Sequence, residues 1–76
     1  MEIVKFYAQK MKELYSLAEK CSGNKTQVKE FYNQGFGAIE FCAEWMHFAG
    51  VSDDTIASLW AMWAAYLEKF NQLLAK

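Results

Sequence analysis

The chain contains no proline and no arginine, and it has two cysteines and one histidine among its 76 residues. Without proline, helices can continue without an enforced break. Without arginine, the chain lacks the side chain that most often binds phosphate and guanine in a bidentate manner. Its formal net charge of −1 gives no strong global field for nucleic acid or anionic lipid. The sequence therefore predicts no nucleic-acid partner.

No long hydrophobic run is present that would predict a membrane span. The longest uncharged stretch late in the chain covers residues 55–67, whereas a membrane-spanning helix requires about 20 apolar residues. The first ten residues also lack the uninterrupted apolar run of a secretory signal. We therefore expect a cytoplasmic protein with no membrane partner and with reduced cysteines.

Apolar side chains are in surplus for so short a chain. They make up 54% of the residues, compared with roughly 45–50% in ordinary globular chains. The length allows one hydrophobic core, so we expect a single domain over residues 1–76. A small domain with surplus apolar side chains usually covers them with a partner or with a copy of itself.

Apolar residues recur at alternating spacings of three and four through three segments, which is typical of amphipathic helices. The expected helices cover about residues 2–21, 25–49 and 53–75. Connections of about three residues make consecutive helices antiparallel neighbours. The sequence therefore predicts an all-α fold of three antiparallel helices in up-down-up order, which dimerises into a larger helical bundle.

Polar residues mark the starts of the second and third helices. Asn24 or Thr26 can cap the second helix, and Asn24 would form a capping box with Gln27. Gly50 ends the second helix, and Ser52 is expected to cap the third. These residues predict breaks in the helical structure close to residues 22–25 and 50–52.

Two glycines, Gly35 and Gly37, lie inside the second helix. Each costs about 1 kcal/mol relative to alanine in a helix interior. They can mark a bend or allow a neighbouring helix to approach closely. Because the apolar periodicity continues in phase across both, we favour close packing.

The second helix is apolar over most of its circumference, so it must be covered on most sides. Helices two and three carry more apolar surface than a three-helix monomer can bury, whereas helix one has polar residues opposite its apolar seam. We therefore expect a homodimer interface from helices two and three that buries at least about 1,200 Å². Its candidate residues are Phe41, Trp45, Phe48, Trp60, Trp63, Tyr66 and Leu67.

Glu40, Glu44 and His47 follow the Glu-x-x-His spacing of carboxylate-bridged metal sites in helical bundles. Side chains three residues apart on a helix can converge on one ion. A complete site also needs carboxylates from facing helices, and only duplication in a homodimer would supply them. We therefore interpret these residues as a solvated stripe and predict no metal and no cofactor, with a metal-binding bundle as the alternative hypothesis.

The sequence predicts no catalytic residue. His47 is the only histidine, and Cys42 lies five residues before it on a different side of the same helix. We therefore expect a non-enzymatic helical protein that acts by association with itself or with another protein. In size and composition the chain resembles small helical proteins of bacteria, phages and mobile elements, so a small regulator or inhibitor falls within this hypothesis. Reversible membrane-surface binding through the tryptophan-rich third helix is a lesser alternative.

Overall fold

Three α-helices form the computed structural model, which describes residues 2–75. They are α1 (Glu2–Lys20), α2 (Lys25–Phe48) and α3 (Asp53–Ala75), and no strand occurs over the described range. The prediction of an all-α fold with three helices is therefore confirmed. The helices α1 and α2 each end one residue earlier than the sequence predicted.

The conformation of the residues that follow α2 explains why the helix ends one residue earlier than predicted. Gly50 has a φ of 76°, the left-handed conformation that favours glycine. This conformation lets the Gly50 N–H donate to the His47 carbonyl at 3.2 Å and the Val51 N–H donate to the Met46 carbonyl at 2.9 Å. The two bonds form a Schellman motif, which satisfies carbonyls that the helix end would otherwise leave without a donor.

Side-chain caps begin both later helices. The Asn24 Oδ1 accepts a hydrogen bond from the Gln27 N–H at 3.1 Å, so Asn24 caps α2. The Asn24 N–H donates to the Cys21 carbonyl at 2.8 Å, which takes the place of the second bond of a capping box. At α3, the Ser52 Oγ accepts from the Thr55 N–H at 3.3 Å. The cap of α3 is the one that the sequence indicated.

One hydrophobic core cluster lies between the helices, and each helix contributes four of its buried apolar side chains. On α1 the core residues follow the predicted seam. On α2 only one side of the mostly apolar circumference is buried. The core residues are Tyr7, Met11, Leu14, Ala18, Val28, Ile39, Cys42, Met46, Leu59, Trp63, Phe70 and Leu73.

Gly35 marks the closest approach of the three helices. A Cβ atom built on it would lie 2.8 Å from Cζ3 of Trp63 and 3.0 Å from Cε of Met11. Close packing is therefore correct for Gly35, because an alanine methyl would overlap the indole. It is not correct for Gly37, whose Cβ would meet no described atom within 4 Å.

Aromatic contacts hold α3 against the other two helices. The Tyr15 ring of α1 lies edge-on to Phe70 at 5.6 Å and also contacts Tyr66 at 6.1 Å, measured between ring centroids. The Tyr32 ring of α2 lies 5.6 Å from Trp63 and 6.1 Å from Phe70. Edge-to-face pairs of this kind contribute about 0.5–1.5 kcal/mol beyond the area that they bury. Tyr15 and Tyr32 therefore identify the sides of α1 and α2 that face α3.

Alanine substitution should have opposite effects at the two glycines of α2. We expect Gly35→Ala to lower the free energy of unfolding by about 1 kcal/mol, because overpacking costs about 1–3 kcal/mol and exceeds the gain in helix propensity. We expect Gly37→Ala to raise it by about 0.5–1 kcal/mol, because the methyl meets open space. Urea midpoints at constant m-value provide the measurement. An equal effect at both positions would contradict the close contact at Gly35.

Removal of the Ser52 hydroxyl should destabilise α3. We expect Ser52→Ala to lower the free energy of unfolding by about 0.5–2 kcal/mol, because the Thr55 N–H loses its acceptor. Ser58→Ala is the matched control, since the Ser58 hydroxyl donates to the Asp54 carbonyl inside the helix. Alanine favours the helix there, so the control should be neutral or slightly stabilising. Equal midpoints for Ser52→Ala and the unchanged protein would show that Ser52 is not the cap.

Candidate functional site

Phe41, Trp45 and Phe48 form an exposed line of rings on α2, called the outer aromatic stripe below. Their exposed fractions are 70%, 51% and 84%. Residues spaced by four and then three lie on one side of a helix. Cys42 and Met46, which lie between these residues in the sequence, face the core. The stripe therefore points outward along the C-terminal half of α2.

A fourth exposed ring, Phe6, belongs to α1 and is 62% exposed. Tyr7 and Cys42 are close enough in the core that the thiol adds to the effect of burial in raising the pKa of the Tyr7 phenol. Phe6 precedes the buried Tyr7, and Phe41 precedes the buried Cys42. The expectation that helix one contributes little exposed apolar surface is therefore incorrect.

Phe6 and Phe41 lie on the side of the α1–α2 pair that faces away from α3. Tyr15 lies nine residues after Phe6 on α1, and Phe41 lies nine residues after Tyr32 on α2. At 3.6 residues per turn, two side chains nine residues apart point in directions that differ by about 180°. Tyr15 and Tyr32 both contact α3. The two phenylalanines therefore point away from α3, and together with Trp45 and Phe48 they create one aromatic face.

The candidate interface residues of α3 are less accessible than the sequence indicated. Trp63 is only 4% exposed, because the missing side chain of Gly35 makes room for its indole. It therefore has no surface to offer a partner. Tyr66 and Leu67 are half-buried, and the Lys69 Nζ lies 5.1 Å from the centre of the Tyr66 ring. The largest exposed apolar surface belongs to α2 and α1 and not to α3.

Trp60 lies beside the residues of the metal-binding alternative. It lines a shallow, open depression with Glu40, Ala43, Glu44 and His47. Over residues 2–75, no three His, Cys, Asp or Glu side chains come together in an arrangement that would hold a metal ion. The Glu-x-x-His spacing therefore places its side chains on one exposed side of α2 without further ligands from the described parts of α1 or α3.

Both cysteines are free, and Cys42 is buried. Burial raises the pKa of the Cys42 thiol, so it stays protonated at neutral pH. A protonated, buried thiol is a poor nucleophile. The side chain of His47 is exposed on another side of the helix. The geometry gives Cys42 the role of a small core residue.

Tyr7 brings an unpaired hydroxyl into the core. Its side chain is fully buried, and its hydroxyl has no hydrogen-bond partner among the described residues. Burial raises the pKa of this phenol well above its usual range, with Cys42 as the second cause. A buried hydroxyl without a partner loses its hydration and gains no bond in exchange. Periodicity correctly predicted that Tyr7 faces the core, but it could not predict the missing partner.

Comparisons with known proteins give no indication of the function. The chain matches no protein-family model, no curated protein and no solved structure. Within residues 2–75, none of the three helices has the length and apolar character needed to cross a bilayer. The aromatic face of α1 and α2 is the strongest feature from which a function can be argued.

Substitution of the buried phenol should stabilise the protein. We expect Tyr7→Phe to raise the free energy of unfolding by about 1 kcal/mol, because the ring keeps its packing and the unpaired hydroxyl is removed. Tyr66→Phe, at a half-buried ring, is the control and should change the value by less than about 0.5 kcal/mol. Denaturant unfolding at pH 7 would check both. A loss of stability in Tyr7→Phe would mean that this hydroxyl has a partner in solution.

Proposed function

We propose that this chain is a non-enzymatic helical module that acts by protein–protein association, first as a homodimer. The outer aromatic stripe supports the proposal, because Phe41 and Phe48 are mostly exposed although nothing in the fold requires large apolar side chains there. Leaving such a side chain in water forfeits about 1.5–3 kcal/mol relative to burying it. A second copy that covers the stripe recovers this free energy for both chains.

The exposed apolar side chains do not result from loose packing of the three helices. The accessible surface is 5001 Å², and a compact monomer of this mass is expected to expose about 4,800 Å². The three helices therefore bury nearly as much surface as their length allows, and several large apolar side chains still remain outside. A further chain can cover them without a change in the monomer, which favours association over rearrangement.

The proposed monomer is a single domain whose helices run up-down-up. The approach of Met11 to Gly35 shows that the middle of α1 packs against the middle of α2. The short connections between the helices favour the up-down-up arrangement. In the dimer, two such bundles would combine into a larger one.

The proposed interface keeps most of the candidate residues of the sequence. Phe41, Trp45 and Phe48 supply its centre because their rings are the most exposed of the candidates. Trp60 is 39% exposed, so it is available at the margin, and the half-buried Tyr66 and Leu67 offer less.

The proposed location is the cytoplasm, where both free thiols would stay reduced. Within the class of association modules, we include a small regulator or inhibitor from a bacterium, phage or mobile element. Such a protein would use the same aromatic surface to bind its target.

The mass of the protein in solution tests the proposal. Light scattering at micromolar concentration should give twice the chain mass of 8.8 kDa. Phe48→Ser should shift the mass toward that of one chain, because it removes the most exposed ring. Ala64→Ser, at an exposed position of α3, is the control and should remain dimeric. A monomeric mass for the unchanged protein at these concentrations would refute the homodimer.

A further inference from the structure

We infer that the second copy docks on the aromatic face formed by Phe6 and the outer aromatic stripe, with the two α2 helices crossing in opposite directions close to Glu44 and Trp45. The inference rests on the proposed function and names the face and the register of the dimer. It moves the interface from the α2–α3 side to the α1–α2 side.

The available area favours this face. From their exposed fractions, Phe6, Phe41, Trp45 and Phe48 present about 550 Å² of aromatic surface. A specific interface needs about 600 Å² from each partner, so these four rings and their immediate rim are sufficient when one partner covers them together. The α3 side offers less, because Trp60 is the only one of its four candidates that is among the exposed large side chains.

The spacing of the stripe is symmetrical, which favours a second copy as the occupant. Phe41 and Phe48 lie equally far from the midpoint between Glu44 and Trp45. A two-fold axis through that midpoint, perpendicular to α2, places Phe41 of each copy opposite Phe48 of the other. Trp45 then meets its own counterpart. Each ring of the outer aromatic stripe is thereby covered by a ring of the other copy.

Glu30 disfavours two alternative registers. It lies eighteen residues before Phe48, which is five helical turns, so it points in the same direction as the stripe. Parallel packing along the whole of α2 would place Glu30 of one copy against Glu30 of the other. An antiparallel crossing at the middle of α2 would place Phe48 against Glu30. A crossing close to residues 44 and 45 leaves both Glu30 carboxylates in water.

The same register covers the ring of Phe48, which is the most exposed ring of the described residues. Phe48 of one copy faces Phe41 of the other. In the proposed up-down-up bundle, where Met11 lies against Gly35, Phe6 on the adjoining helix α1 lies at about the level of Phe41. The Phe48 ring therefore packs over both phenylalanines of the second copy. Phe6 is used in this arrangement, whereas an interface on the α2–α3 side would leave it exposed.

Disulfide cross-linking of the full chain tests the register. The proposed axis places the two copies of residue 44 with their Cα atoms about 6 Å apart, within the range of a disulfide. Glu44→Cys should therefore give a cross-linked dimer under mild oxidation with diamide, whereas Gln34→Cys, on the same side of α2 but outside the crossing, should not. Both substitutions are made together with Cys21→Ser. Cys42 is retained because it is buried.

Each outcome of the cross-linking has a separate meaning. Cross-linking of Glu44→Cys alone supports the proposed crossing, and the affinity test below assigns the face. Cross-linking of both variants indicates parallel helices and overturns it. A dimeric mass without either cross-link places the interface on another face, which overturns the inference and leaves the proposed function standing. A monomeric mass for the chain without added cysteines refutes the proposed homodimer and the inference with it.

Dimer affinity provides a second test, which identifies the face that forms the interface but not the register of the helices. Phe6→Ser should raise the dimer dissociation constant at least about tenfold, because the symmetric interface loses the ring twice. Trp60→Ser, on α3, should change it less than about threefold. Sedimentation equilibrium measures both constants, and circular dichroism verifies that the variants remain helical. The reverse order of effects would assign the interface to α3 and overturn the inference.

Discussion

The close approach at Gly35 determines how the three helices share their apolar surface. Because this residue has no side chain, Met11 of α1 and the Trp63 indole of α3 both reach the backbone of α2. The indole then contacts Tyr32 and approaches Phe70, whose ring also contacts Tyr15. One absent methyl group thus places one of the two tryptophans of α3 in the core. The position of α3 decides in turn which sides of α1 and α2 remain open.

The local structure could be predicted well because its causes are local. The Asn24 and Ser52 side chains accept bonds from N–H groups three residues later, and Gly50 adopts the left-handed conformation that ends α2. The seam of α1 follows from its period, since Tyr7, Met11 and their successors repeat by four and three. The helix ends differ by one residue because hydrogen bonding in the last turn, which the apolar pattern does not encode, decides them.

The tertiary arrangement of the apolar faces could not be predicted in the same way. Periodicity gives the direction of a side chain around its helix, but it does not say which directions a neighbour covers. Trp63 and Trp60 are both apolar members of α3, yet only Trp63 faces the space above Gly35. The exposure of Phe6 follows from the placement of α3 on the opposite side of α1. The predicted interface therefore differs most from the structure at residues whose exposure is decided by the position of a third helix.

The outer face of α2 is divided along its length, and the division has no role in folding the monomer. Glu30 and Gln34 occupy its N-terminal half, whereas Phe41 and Phe48 occupy its C-terminal half. A helix that only had to fold against α1 and α3 would be equally stable with polar side chains throughout this face. Polar residues in one half confine any docking helix to the other half. In the proposed dimer, the same face would provide both the attraction between the two copies and the charge that limits where they meet.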